Sequence, residues 1–265
     1  MVDRSDQAVM LVTGAGGGIG ASLCLEAARR GWHVAAADLD ADAAHRTAAA
    51  VAAIAGEDAV IPLAVDVADE RAVDAAFTAV ESHWGPVTSL VNNAGFADQT
   101  PFLQLRHEDW MREFDVMVSG AIHGIRRALP GMAESPGSAV VNVASVNALG
   151  FYSHPTYSAA KAALLSLTGS LAALFGHTGV RINAVAPGTV LTPAWGADAA
   201  TIAERTAPLL PYVPLGRLAD PVDVTEAVLF LLSPAARHIT GTTLPIDGGL
   251  ATGILPMAHH ISGRE

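Results

Sequence analysis

Val9-Met-Leu-Val-Thr-Gly-Ala-Gly-Gly-Gly-Ile-Gly20 joins a short apolar run to a cluster of glycines. The apolar half has the unbroken character of a strand covered on both faces, and the residues from about 20 to 30 read as a helix. A glycine-rich turn in that position lets the main chain approach a pyrophosphate, and the helix start turns free N–H groups and a positive dipole end toward it. Asp38 closes the next apolar run, eighteen residues past Gly20, where a carboxylate accepts hydrogen bonds from adenosine ribose hydroxyls. Neither the turn nor the residues directly after Asp38 supply an arginine or lysine to neutralise a 2′-phosphate, so NAD is favoured over NADP.

Working outward, apolar runs and Ala-rich stretches alternate to the end of the chain. Val9 to Thr13, Val34 to Asp38, Val60 to Val65, Ser89 to Asn92, Ala139 to Ala144, Arg181 to Ala186 and Thr243 to Ile246 read as seven strands. Helices are expected at about 20–30, 41–55, 69–84, 107–133, 155–176 and 221–233. This alternation predicts an α/β fold with a doubly wound, seven-stranded parallel sheet, and no linker or repeat divides residues 1–265 into more than one domain. The longest irregular stretch is 189–217, with Pro193, Pro208, Pro211 and Pro214, and its length makes it the candidate lid over a substrate.

Composition narrows the partners. A formal net charge of −11 argues against nucleic acid, and the pair Arg126-Arg127 reads as a solvated helix face. Cys24 is the sole cysteine, which excludes an intramolecular disulfide and suits a reducing, cytoplasmic setting. The first residues lack an apolar leader core, and no uninterrupted apolar run reaches the length of a membrane span. Ten scattered histidines, among them His259 and His260 near the end, form none of the familiar metal spacings, so no metal is expected.

Lys161 is the only lysine, against fourteen arginines, and it follows Tyr157 by four residues in Pro155-Thr-Tyr-Ser-Ala-Ala-Lys161. On a helix that spacing places phenol and ammonium on one face. A fixed cation favours phenolate, so Tyr157 is expected to have a lowered pKa and to serve as a general acid or base.

These residues resemble the short-chain dehydrogenase/reductase family, in its subgroup of about 250 residues with a Rossmann-like fold. The resemblance runs from Thr13 to Gly249: Thr-Gly-x-x-x-Gly-x-Gly at 13–20, Asp66-Val67, Asn92-Asn-Ala-Gly95, Ser145, Tyr157-x-x-x-Lys161, Pro187-Gly188, Thr192 and Asp247-Gly-Gly249. It implies a catalytic Ser145 on the substrate oxygen, Tyr157 exchanging its proton, and Lys161 holding the nicotinamide ribose. The implied NAD contacts are Gly14, Gly17, Gly18, Ile19, Gly20, Asp38, Leu39, Asp66, Val67, Asn93, Ala94, Gly95, Pro187, Gly188, Val190 and Thr192, besides Tyr157 and Lys161. Two features depart from the family pattern. Met117 stands where an asparagine usually helps to place a proton-relaying water, which its own backbone carbonyl would then have to hold, and the interval from Ser145 to Tyr157 is one residue short.

The expected reaction is interconversion of a secondary alcohol and a ketone. Asn147, Tyr152 and Trp195, with His154 and Tyr212, are the candidate specificity residues, and their mixture of aromatic and polar groups suits a sugar, polyol or other polar hydroxy compound, or a cyclic ketone. Two alternatives stay open: an NADPH-linked ketone reductase, and a non-catalytic NAD(H)-binding regulator or scaffold. The resemblance implies a homotetramer, with Leu250 to Met257 a candidate contact segment.

Overall fold

The computed structural model describes residues 8–196, 198–253 and 256–257. Its strands are β1 (Val9–Thr13), β2 (His33–Asp38), β3 (Val60–Ala64), β4 (Ser89–Asn92), β5 (Ala139–Val143), β6 (Arg181–Pro187) and β7 (Thr243–Ile246). They form one parallel sheet in the order β3-β2-β1-β4-β5-β6-β7, so the expected doubly wound, seven-stranded architecture is present. His259 and His260, and part of the candidate contact segment, lie outside the described residues.

The helices are α1 (Gly18–Arg29), α2 (Ala41–Ala55), α3 (Glu70–Trp84), α4 (His107–Phe114), α5 (Gly120–Ala133), α6 (Pro155–Phe175), α7 (Ala199–Thr206) and α8 (Pro221–Leu232). Local chemistry sets several of their ends. The Asp40 carboxylate accepts from the N–H groups of Asp42 and Ala43 to start α2, which stops at Gly56, where φ is 93°.

Side-chain alternation along the strands divides the interior into two apolar layers. Met10 and Val12 of β1 point to the layer that also holds Leu23 and Cys24 of α1 and Val224 and Val228 of α8. Val9 and Leu11 point to the opposite layer, with Phe77 and Val80 of α3 and Ile125 and Met132 of α5. Cys24 is fully buried, and that burial pushes its thiol up to about 12, which makes it an inert packing group.

Three expectations need correction. The helix expected over 107–133 is α4 and α5 joined by a π-helical turn, Asp115–Ser119, which admits an extra residue beside Met117. The stretch at 189–217 is not irregular throughout: it contains 3₁₀ turns at Pro193–Trp195 and Ala207–Tyr212 around α7, whose N-cap is Asp198. Lastly, Pro155–Thr178 has the length and mean hydropathy, 1.4, of a membrane-crossing helix, although it carries Lys161. One face of α6, with Ala160, Lys161, Leu164, Thr168 and Ala172, packs inside the protein, and the other lies open, with Leu174 exposed.

Candidate active site

β1 and β4 are neighbours, while the chain leaves β1 for one flank of the sheet and β4 for the other. A crevice opens at the carboxyl ends of strands that part in this way. It is braced by Thr13 and Asn93: the Asn93 side-chain amide donates to the carbonyls of Thr13 and Gly14, each at 3.0 Å, and the Asn93 and Ala94 N–H groups donate to Thr13 Oγ1. The cleft there has a volume of about 1840 Å³.

Its first wall is the glycine turn. The Gly16 N–H donates to Asp38 Oδ2 at 2.7 Å and the Asp40 N–H to Asp38 Oδ1 at 2.9 Å, so both carboxylate oxygens are held at the end of β2. A Cβ on Gly16 would lie 2.8 Å from that Oδ2 and 2.6 Å from Ala43 Cβ, and the close approach is open only to glycine. The turn thus has the form of a cradle for a pyrophosphate, with an acceptor for ribose hydroxyls beyond it, and a dinucleotide fits the residues present.

The second wall comes from β5 and α6. A buried chain of amides fixes α6 against the sheet: Asn92 Nδ2 donates to Asn142 Oδ1 at 2.8 Å, and Asn142 Nδ2 donates to Thr168 Oγ1 at 2.9 Å. With α6 held there, Tyr157 and Lys161 face the cleft together with Ser145, which follows β5. Lys161 Nζ donates to the Val143 carbonyl at 2.6 Å and lies 5.6 Å from the centre of the Tyr157 ring. Ser145 Oγ accepts from the Asn147 N–H and donates to Asn147 Oδ1 at 3.3 Å.

The electrostatics correct one expectation. Burial holds the Tyr157 phenol above its ordinary value; the neighbouring Ser145 hydroxyl opposes this, and the negative charge of Glu113 adds to it. Lys161 does not reverse the rise: burial lowers its own pKa to about 8, so the amine gives up its charge before the phenol ionises.

Most of the expected residues line the cleft: Gly14, Gly17, Gly18, Ile19, Asp38, Asn93 to Gly95, Ser145, Asn147, Tyr152, Tyr157, Lys161, Pro187, Gly188, Val190, Thr192 and Trp195, as well as His154 and Tyr212. Gly20, Leu39, Asp66 and Val67 stand outside that lining. Gly20 is buried beneath the turn, and Leu39 is exposed. Asp66 is paired with Arg112 Nη2 at 2.9 Å, and Val67 is buried against Gly120. Asn147 reaches the cleft, but its amide also donates to the Ser153 carbonyl at 2.6 Å and to Ser158 Oγ at 3.2 Å, so it braces the segment before α6. Among the described residues, no group of three or more His, Cys, Asp or Glu side chains is placed to hold a metal.

Glu113 escaped the sequence reading. Its side chain has no solvent exposure; Oε1 accepts from the Asp98 N–H at 2.8 Å, and the buried Oε2 has no hydrogen-bond partner among the described residues. The available signal was a carboxylate beside the apolar positions Trp110, Phe114 and Met117 of one helical stretch. Met117 is itself buried, and its Sδ would lie 3.2 Å from a Cβ placed on Gly95, close to the 3.3 Å at which Lys161 Nζ would meet the same point. At the cleft mouth, His154 is the only described non-glycine residue with positive φ, 50°, and its Nδ1 lies 3.2 Å from the Asp98 carbonyl oxygen.

Comparison with known proteins agrees with this fold. The family model described as enoyl-(acyl carrier protein) reductase matches residues 14–251. The 2-(S)-hydroxypropyl-CoM dehydrogenase 3 of Xanthobacter autotrophicus is 37% identical over 254 residues, covering 94% of this chain and 99% of that protein. The D-threitol dehydrogenase of Mycolicibacterium smegmatis is 38% identical over 251 residues, with 93% and 94% covered. A crystal structure of an oxidoreductase of the short-chain dehydrogenase/reductase family from Burkholderia thailandensis superimposes with a TM-score of 0.88 at 36% identity, covering 98% of each chain. The chain belongs to the short-chain dehydrogenase/reductase family.

Proposed function

We propose that the protein is an NAD-dependent dehydrogenase that interconverts a secondary alcohol and a ketone, with residues 189–217 as a lid on a single domain. The observation that carries this reading is the convergence of Ser145, Tyr157 and Lys161 on one wall of the cleft whose other wall is the glycine turn and Asp38. Bound NAD would supply the hydride acceptor, or NADH the donor. Ser145 would hydrogen-bond the substrate oxygen, and Tyr157 would take the alcohol proton or give one to the ketone oxygen. The raised pKa of Tyr157 keeps the phenol protonated near neutral pH, which favours its service as the proton donor in ketone reduction. Lys161, Pro187, Gly188 and Thr192 would hold the nicotinamide end, Gly14 to Gly18 the pyrophosphate, and the turn at Asn93 the adenosine ribose; all of them line the cleft or its glycine turn.

The preference for NAD is supported by Asp38, whose carboxylate would repel a 2′-phosphate. A polar hydroxy compound as substrate is supported by the names of both relatives, and a polyol by that of the D-threitol dehydrogenase. The open apolar face of α6 supports a homotetramer, and the single reduced thiol supports a cytoplasmic setting.

The test is reduced-nicotinamide formation by purified protein with NAD or NADP on a panel of polyols, sugars, hydroxy acids and secondary alcohols. Turnover with NAD that falls by about 10²–10⁴-fold in Tyr157→Phe bears the reading out. A fully active Tyr157→Phe protein removes the assigned chemistry, and NADH binding without turnover on any substrate favours a regulatory or scaffold role.

A further inference from the structure

Three Asp, Glu, Lys or Arg side chains stand on the described cleft wall: Asp38 at the adenosine end, buried Lys161 beside Tyr157, and Arg205 on the lid helix α7. Eight other arginines have a carboxylate within ion-pair distance. Arg205 has none among the described residues, and its one hydrogen bond runs from Nη1 to the Trp195 carbonyl at 3.1 Å. Trp195 is fixed in turn, because its indole N–H donates to the Val190 carbonyl at 3.0 Å, next to the end of β6. The guanidinium is therefore carried by a chain of two hydrogen bonds from the strand end, with Nε–H and both Nη2 hydrogens left to donate.

Arg71, Arg181 and Arg237 also lack a carboxylate partner among the described residues, but of these four arginines only Arg205 stands on the cleft wall. No acidic side chain stands with it on the described cleft wall except Asp38, whose oxygens accept from Gly16 and Asp40. The planar fork matches a carboxylate or sulfonate, which takes two parallel N–H bonds from it. The nearby Asp198 is occupied as the α7 cap: its Oδ1 accepts from the Thr201 N–H and its Oδ2 from the Thr201 hydroxyl.

We propose that Arg205 is the substrate-binding residue for an anionic group, so that the substrates are hydroxy acids and keto acids in which a carboxylate or sulfonate lies away from the reacting carbinol carbon. This deepens the dehydrogenase reading and rests on it. Ser145 and Tyr157 would hold the reacting oxygen, and Arg205 the far end of the molecule.

The experiment compares 3-hydroxybutyrate and 4-hydroxycyclohexanecarboxylate with their methyl esters, and 2-hydroxypropanesulfonate with 2-propanol, in wild type, Arg205→Gln and Arg205→Lys. Wild type is expected to favour the anion of each pair it turns over. Arg205→Gln should raise KM for that anion roughly 10- to 100-fold with kcat nearly kept. The neutral partner should lose far less than the anion, and Arg205→Lys should recover part of the anion's loss. Which anion gains more separates carboxylate from sulfonate recognition. Equal loss on charged and neutral substrates would show Arg205 to be a structural latch on Trp195 and overturn the proposal, as would equal use of acid and ester. Calorimetric titration of the NADH-loaded protein with the same anions separates the two readings. Anion binding that Arg205→Gln abolishes, in a protein without turnover, leaves the anion site standing and removes the dehydrogenase; no anion binding removes the site.

Discussion

The Asp98 N–H donates to Glu113 Oε1 at 2.8 Å and so ties the loop after β4 to a carboxyl group with no solvent exposure. The Asp98 carbonyl oxygen in turn lies 3.2 Å from His154 Nδ1, which joins that loop to the first residue before α6. The main chain of one residue, Asp98, therefore connects α4 to the mouth of the cleft. Glu113→Ala should cost about 1–3 kcal/mol by removing the acceptor of a part-buried N–H. Glu113→Gln keeps a carbonyl acceptor and should cost less, while removal of the negative charge should move the pH limb belonging to Tyr157 downward. Urea denaturation and pH–rate profiles of both variants check this, and an unmoved limb in Glu113→Gln would refute the electrostatic part.

Lys161 gives the unliganded protein a distinctive dependence on pH. Its folded pKa of about 8 lies below the ordinary 10.5, so between these values the unfolded chain binds the extra proton. Stability should therefore rise with pH across that window, by about 2 kcal/mol between pH 8 and 10. Above pH 10 the raised Tyr157 acts in the opposite sense, since the unfolded phenol ionises first. Chemical denaturation of wild type against Lys161→Met isolates the effect: the difference between the two should change over pH 8–10, and parallel curves would count against a buried, depressed lysine.

The glycine turn provides an internal contrast. A Cβ on Gly20 would fall 2.1 Å from the Gly14 carbonyl oxygen, which is main chain and has little room to move, whereas Gly17 has open space around it and an extended φ of −175°. Gly20→Ala should cost about 1–3 kcal/mol or more and impair NADH binding, and Gly17→Ala should leave stability nearly unchanged. Thermal melts and NADH titrations decide it; equal behaviour of the two variants would show that the turn relaxes freely.

Asp38→Ala removes the acceptor of the Gly16 and Asp40 N–H groups together with the charge that disfavours a 2′-phosphate. KM for NAD should rise roughly 10- to 100-fold, and the NAD-to-NADP ratio of kcat/KM should fall at least about tenfold. Steady-state kinetics with both cofactors measure the ratio, and a constant value would assign the preference to some other group.

The sheet was legible because each strand is a compact apolar run, and its ends were displaced by only a residue or so, as at His33 and Pro187. The Tyr157–Lys161 pair was legible because a helix converts spacing into direction. The π turn at Asp115–Ser119 was not, since one surplus residue leaves no mark in an apolar stripe that continues on both sides. Helix α7 was hidden by the prolines and Gly196 around it, although Asp198 supplies an ordinary helix start. Glu113 is recognised only with its partner, a main-chain N–H fifteen residues earlier that no side-chain pattern announces. The upward shift of Tyr157 was missed for a related reason: spacing shows which charge is near, but burial decides how far both groups hold their protons.

A chain whose sole lysine is enclosed beside its reaction centre also presents an unusual chemical handle. Apart from the amino terminus, amine-directed acylating or cross-linking reagents have one side chain to attack, and its amine is about half neutral, hence nucleophilic, near pH 8. The rate of that single modification would report how often the cleft admits solvent-borne molecules, and its suppression by a bound ligand would measure occupancy without any turnover.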